Sequence, residues 1–273
     1  MLISMKELLD DARANAYCVA APNAFDDSTV SMCIEAAERN KAPLIIDFAE
    51  GHGDIYAFAA MALFHIRRSR MPIALNLDHG TTYKGIVQAI RSGFSSVMID
   101  RSTLPLCENI TQVGEIVRVA HAVGVSVEAE LGHVGAADPE RMGHVGLDAH
   151  KVTQVELTNP EEAEEFVQKT GVDCLAVAVG TAHGKYISKP ELDFARLEEI
   201  NRRASIPLVL HGGSGTGDDA IRQAIRLGVA KINIGTDIFN AFCDGFSGAA
   251  QQLDAYLLMK AVNAGKTAYR DKL

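Results

Sequence analysis

The chain has 273 residues, 48% of them hydrophobic and 22% charged, the make-up of a globular protein able to bury a large core and not of a disordered segment. Its formal charge of −9, from 35 acidic against 26 basic side chains, offers no basic face and argues against a nucleic-acid or anionic-lipid binder. Five scattered cysteines without a C-x-x-C pair do not form a disulfide framework; with neither a signal-peptide core nor an 18-residue apolar run, the expected compartment is the cytoplasm and no membrane contact is expected.

In chain order, a short N-terminal helix is expected first. Eight strand-like apolar runs follow: Tyr17–Ala21, Leu44–Phe48, Ile73–Leu77, Ser96–Asp100, Val125–Glu130, Cys174–Val179, Pro207–Leu210 and Lys231–Gly235. Helix-like stretches separate them. Thr29 to Asn40 has helical apolar periodicity, Asn159-Pro160 opens a run with an acidic first turn, and Gly93, Gly124, Gly171 and Gly228 stand where helices should stop. Eight strand–helix units fit one α/β domain over residues 1–273, a (β/α)8 TIM barrel with a C-terminal helical extension after Asn240. A doubly wound open sheet alternates in the same way, but the count of eight favours the barrel. Residues 132–150 are polar, Gly-rich and too long for an ordinary turn, and are expected to form a mobile loop beside the site.

Three histidines stand at the ends of three of these strands: His79, His183 and His211. In a barrel they converge on the C-terminal mouth, and three imidazoles with an open fourth position suit a catalytic zinc. His52, His65 and His121 are expected to be structural, and His133, His144 and His150 to be solvated loop residues. Asp78 precedes His79, so strand alternation turns the two apart unless the strand is already ending. If Asp78 reaches the mouth it serves as general acid/base; otherwise it orients a neighbour or caps a helix. Asp100, Glu128 and Glu130 add carboxylates, of which Glu128 and Glu130 share a face and either point at the mouth or pair inside the rim. Two Gly-rich ends, His211–Gly217 and Asn233–Asp237, follow strands seven and eight, where barrels commonly cradle phosphate, with Ser214 and Thr236 suited to the task.

The segments Leu77–Gly80, Val97–Asp100, Ser126–Gly132, Gly180–Gly184, Leu210–Gly215 and Lys231–Thr236 together resemble the class II, zinc-dependent ketose-bisphosphate aldolases, a family that includes fructose- and tagatose-bisphosphate aldolases. The resemblance spans nearly the whole chain. It implies a lyase that cleaves a ketose (bis)phosphate reversibly to dihydroxyacetone phosphate and an aldehyde, through an enediolate stabilised by zinc. His79, His183 and His211 would hold the metal, with Asp100 and Glu130 at an alternative metal position. Asp78 would move the C4 hydroxyl proton, with Asn233 and a loop acid, Asp138 or else Glu140, as further catalytic residues. Gly184, Gly212, Gly213, Ser214, Asn233, Ile234, Gly235 and Thr236 would bind dihydroxyacetone phosphate. A monovalent cation, Na+ or K+, near the phosphate and a homodimer or homotetramer are also implied.

Four departures from the family pattern cluster away from the metal and donor residues. Ala49 stands where a Ser is usual, Arg101-Ser102-Thr103 replaces Gly-Ser-His, Gly135-Ala136 replaces Gly-Gly, and the tail Gly265–Leu273 is short. The expectation is retained aldol chemistry with an unusual acceptor, Arg101 meeting an anionic group on it. The alternatives are a non-catalytic sugar-phosphate-binding barrel and a metal-assisted sugar-phosphate epimerase or isomerase.

Overall fold

The structure, a computed structural model, describes residues 1–137, 156–250 and 255–273. α1 (Met5–Ala14) precedes β1 (Val19–Pro22), α2 (Asp27–Asn40), β2 (Leu44–Ala49), α3 (Ile55–Arg68) and β3 (Ile73–Gly80). Then come α4 (Tyr83–Ser92), β4 (Ser96–Ile99), α5 (Leu106–His121) and β5 (Ser126–Leu131). After them stand α6 (Pro160–Thr170), β6 (Cys174–Val177), α7 (Phe194–Ala204), β7 (Leu208–Leu210), α8 (Asp218–Arg226) and β8 (Val229–Ile234). The last two helices are α9 (Thr236–Ala250) and α10 (Ala255–Lys272). All eight expected strands form, with shifted ends: β1 and β8 each begin two residues from the expected start.

The strands run parallel in the order β1-β8-β7-β6-β5-β4-β3-β2. This order never reverses, which rules out a doubly wound sheet. β1 meets β2 where Asn23 bridges Asp47 and the Ala24 N–H donates to the Asp47 carbonyl at 2.9 Å, leaving a nearly closed TIM barrel. Local chemistry sets the helices. Asp26 and Thr29 cap α2 reciprocally, Asn159 accepts from Glu161 and Glu162 to start α6, and Gly93 ends α4 in the left-handed conformation that glycine tolerates best.

Strand alternation divides the core. Ile46, Phe48, Leu75, Leu77, Val127 and Leu175 pack outward against the helices, whereas Ile45, Ala74, Cys174, Ala176, Val209 and Ala230 cluster inside with Met5, Leu8 and Leu9 of α1. The small inward side chains leave room for α1, which plugs the N-terminal end of the barrel. Ser4 and Glu7 close its first turn by a capping box, and Ser126 at the foot of β5 accepts from the Lys6 N–H at 3.1 Å. The C-terminal mouth is thereby the open end. Among the described residues no helix is long and apolar enough to cross a membrane.

Candidate active site

β3 carries the first histidine and a break in its own ladder. Leu77 pairs with Val97 and Gly80 with Ile99, so one extra residue is inserted in β3 between these pairs. His79 takes a φ of 47° there, a left-handed conformation that costs a non-glycine residue about 1–3 kcal/mol. The bulge cancels the alternation that would separate Asp78 from His79. Asp78 Oδ1 lies 4.0 Å from His79 Nε2, and both side chains face the mouth.

His183 arrives from the turn after β6 and is held by its backbone: its N–H donates to the Gly135 carbonyl at 2.8 Å, and its own carbonyl accepts from Ala137 at 2.8 Å. His211 follows β7 directly and is fully buried. The three rings meet at centroid separations of 4.8, 5.0 and 5.6 Å, with a ligand atom of each within 4.8 Å of the others. A second set, His79, Asp100 and Glu130, satisfies the same limit. The donor chemistry fits a divalent metal: His211 Nδ1 and Glu130 Oε2 are buried without a hydrogen-bond partner and sit 3.4 Å apart.

Below the histidines lies a buried ionic layer. Lys231 Nζ is 2.8 Å from Glu128 Oε2 and 3.2 Å from Asp47 Oδ2, all three side chains wholly enclosed. Asn76 donates to Asp47 at 2.9 Å. Glu128 Oε1 stands 2.9 Å from His211 Nε2; with Nε2–H donating there, the Nδ1 lone pair is left facing the site. Burial disfavours the Lys231 charge, yet Asp47 and Glu128 outweigh it and raise its pKa. Burial also works against ionised Glu128, but Lys231 and His211 bring it below the usual carboxylate range.

Asp78 is gripped by two amides, from Asn23 at 2.9 Å and Asn233 at 3.1 Å. Burial raises its pKa, but the charges of His79 and Lys231 and the Asn23 hydrogen bond hold it below its usual range. Burial opposes the charged form of His79, whereas Asp78 and Asp100 push it up to about 10. Burial lowers both His183, helped by His79, and His211, leaving them neutral as ligation requires. Burial and the neighbouring Asp100 push Glu130 up to about 8.

The residues expected to bind dihydroxyacetone phosphate gather across the mouth. Gly212 has a φ of 68°, and a Cβ there would lie 2.3 Å from the Ala182 carbonyl oxygen. The Tyr186 hydroxyl accepts from the Ala182 N–H at 2.7 Å and donates to the Gly212 carbonyl at 2.9 Å, tying the two turns together. Gly213 is closed in by Ile232, Ser214 Oγ accepts from the Asp237 N–H at 3.1 Å, and Asn233, Ile234, Gly235 and Thr236 lead from β8 into the first turn of α9. Gly184 follows His183. Arg101 is half-buried and spends Nε on Gln112 at 2.5 Å and Nη1 on the Asp100 carbonyl at 2.8 Å. Asp138 and Glu140 lie outside the described residues.

These relations place the chain among known proteins. The model of the family described as fructose-bisphosphate aldolase class-II matches residues 3–273. The chain belongs to the class II fructose-bisphosphate aldolase family. It is therefore a lyase of the aldolase type. The YdjI aldolase of Escherichia coli K12 is 33% identical with a TM-score of 0.84, over 100% of this chain and 96% of that one. A Coccidioides immitis protein, provisionally assigned as a fructose-1,6-bisphosphate aldolase, is 29% identical with a TM-score of 0.86, over 98% and 93%. The fructose-bisphosphate aldolase of Campylobacter jejuni, at 24% identity, shares the fold with a TM-score of 0.81 over 99% and 93%.

Some parts of this class II aldolase site escape sequence reading. Asn23, which grips Asp78, follows β1 without a motif of its own. Ser102, inside one of the departures from the family pattern, donates to Asp100 at 2.7 Å and contacts His133 Nδ1 at 2.8 Å, so His133 belongs to the wall of the site. His65 and His121 pair with Asp27 and Asp173, the structural roles expected of them.

Proposed function

We propose that the protein cleaves a ketose phosphate reversibly to dihydroxyacetone phosphate and an aldehyde, using zinc. The observation that carries this reading is the convergence of three histidines beside a carboxylate whose oxygens are both held by amides. His79, His183 and His211 would hold the metal, and Asp100 and Glu130 offer a second position. Bound there, zinc supplies Lewis acidity to the carbonyl and hydroxyl oxygens of the donor. Asp78, ionised and fixed, takes the proton of the C4 hydroxyl as that carbon becomes the aldehyde carbonyl. The C3–C4 electron pair stays on C3, which is then protonated; Asp138 is the proposed donor, and Glu140 the other candidate. Asn233 holds Asp78 and borders the substrate. Gly184, Gly212, Gly213, Ser214, Ile234, Gly235 and Thr236 supply backbone N–H groups and hydroxyls to the donor phosphate, beside the positive end of α9. A monovalent cation near these turns and a homo-oligomeric, cytoplasmic protein complete the reading by family resemblance.

Exchange of the C3 proton of dihydroxyacetone phosphate in deuterium oxide, followed by NMR, tests this half-reaction without knowledge of the aldehyde. Exchange that disappears on chelation and returns with zinc is expected. Its absence from metal-loaded protein would remove dihydroxyacetone phosphate as the donor.

A further inference from the structure

The β2 and β3 ends are joined by a carboxylate. Glu50 opens the short turn after β2, and its Oε2 accepts from the Thr81 N–H at 2.6 Å, the Thr81 hydroxyl at 2.9 Å and the Thr82 N–H at 3.0 Å. Its Oε1 takes the Thr82 hydroxyl. Thr82 is the N-cap of α4, and the seat is cleared at Gly85, where a Cβ would lie 1.9 Å from Glu50 Oε1. Four donors at the positive end of a helix make a place that would hold phosphate oxygens. Here the chain's own carboxylate fills it. Burial disfavours ionised Glu50, but these hydrogen bonds lower its pKa and keep it charged.

The location gives the seat its meaning. Thr81 is two residues beyond His79, so it is within about 7 Å of that residue along the backbone. The turns proposed for the donor phosphate follow β6, β7 and β8, whereas the seat lies on the arc of β2, β3 and β4 across the mouth. A substrate anchored by its donor phosphate and broken beside Asp78 extends its remaining carbons toward that second arc. Asp100 adds another fixed negative charge there, held by Ser102 and His79. Arg101 has Nε and Nη1 already engaged.

Resting on the donor reading above, we infer that Glu50 is a specificity residue: it fills the α4 N-terminal seat against a second phosphate, so the acceptor is an uncharged polyol aldehyde and the substrate a ketose 1-phosphate. A phosphate at the far end of the substrate meets a like charge and finds the donors spent. An uncharged hydroxylated chain meets only hydrogen-bonding groups.

The test uses zinc-loaded full-length protein, with dihydroxyacetone phosphate condensed onto glyceraldehyde or glyceraldehyde 3-phosphate at matched ionic strength. Proton exchange at C3 is measured on the same sample. Exchange together with a kcat/KM about ten-fold or more in favour of glyceraldehyde is the expected result, and in Glu50→Gln and Glu50→Ser that ratio should fall roughly ten-fold. The ratio cancels losses common to both aldehydes, so a merely structural role for Glu50 would not move it. Exchange with glyceraldehyde 3-phosphate preferred by the wild type would overturn the inference alone and restore Arg101 as an anion contact. An unchanged ratio in both folded variants would also overturn it. No exchange would overturn the donor reading, and the inference with it.

Discussion

The two halves of the barrel mouth present polar groups in different physical ways. Across β6, β7 and β8, glycines bring backbone close to the site, Tyr186 ties one turn to the next, and the helix that starts at Thr236 adds its dipole. Across β2, β3 and β4, the polar groups are charged side chains already satisfied by one another: Glu50 by the Thr81–Thr82 turn, Asp100 by Ser102 and His79. One half is built from backbone turns and a helix N-terminus, the other from charged side chains whose neighbouring donors are spent on them. Oriented backbone donors fit any ligand with the right oxygen geometry, whereas a fixed carboxylate discriminates by charge. Two ends of one substrate can therefore be selected independently.

His211, directly after β7, and Asp78, in β3, contribute one central side chain from each half, and substitutions there should be most severe. His211→Ala removes a wholly buried ligand; zinc content should fall below stoichiometric on dialysis, and activity by about 10³-fold or more. Retained metal and turnover would shift weight to the His79, Asp100 and Glu130 set. Asp78→Asn should keep zinc yet lower kcat by about 10²–10⁴-fold, checked by metal analysis beside steady-state cleavage. If zinc is lost as well, Asp78 acts on the metal site and not only on the proton.

Lys231→Met acts beneath both halves, leaving Asp47 and Glu128 buried without their cation. It should cost about 3–5 kcal/mol in urea unfolding at neutral pH. A loss under about 1 kcal/mol would mean that the carboxylates share a proton with little strain. Gly212→Ala tests the donor half alone. Its Cβ would press on the Ala182 carbonyl in a backbone conformation that favours glycine, so KM for the donor should rise about ten-fold while the ratio between two aldehydes stays fixed. A changed ratio would show that the halves are coupled.

Most of the barrel is legible in the sequence because strand runs, caps and glycine stops are local signals. The three histidines are legible for the same reason: each stands at or shortly after the end of a strand-like run. What was hidden depends on pairing between strands. The extra residue in β3 is defined only against β4, so alternation applied to Asp78 and His79 separates side chains that the bulge brings together. Glu128 and Glu130 do share a face, but their fates differ by depth: Glu128 pairs with Lys231 and takes the Nε2 side of His211, whereas Glu130 lies on the Nδ1 side that faces the site. Neither Asn23 nor Glu50 bears a local mark, since their partners lie 55 and about 31 residues away.

The helix α10 supports the site from a distance. Tyr269 is buried in α10, and its hydroxyl donates to the carbonyl of Asn23 at 2.8 Å; the amide of that same Asn23 holds Asp78. The contact spans 246 residues, a separation that local folding cannot bridge early. Tyr269 thus braces the backbone of one of the two asparagines that hold Asp78, without touching Asp78 itself. A substitution in α10 can therefore reach Asp78 through a single asparagine, from a helix that lies 246 residues along the chain from that asparagine.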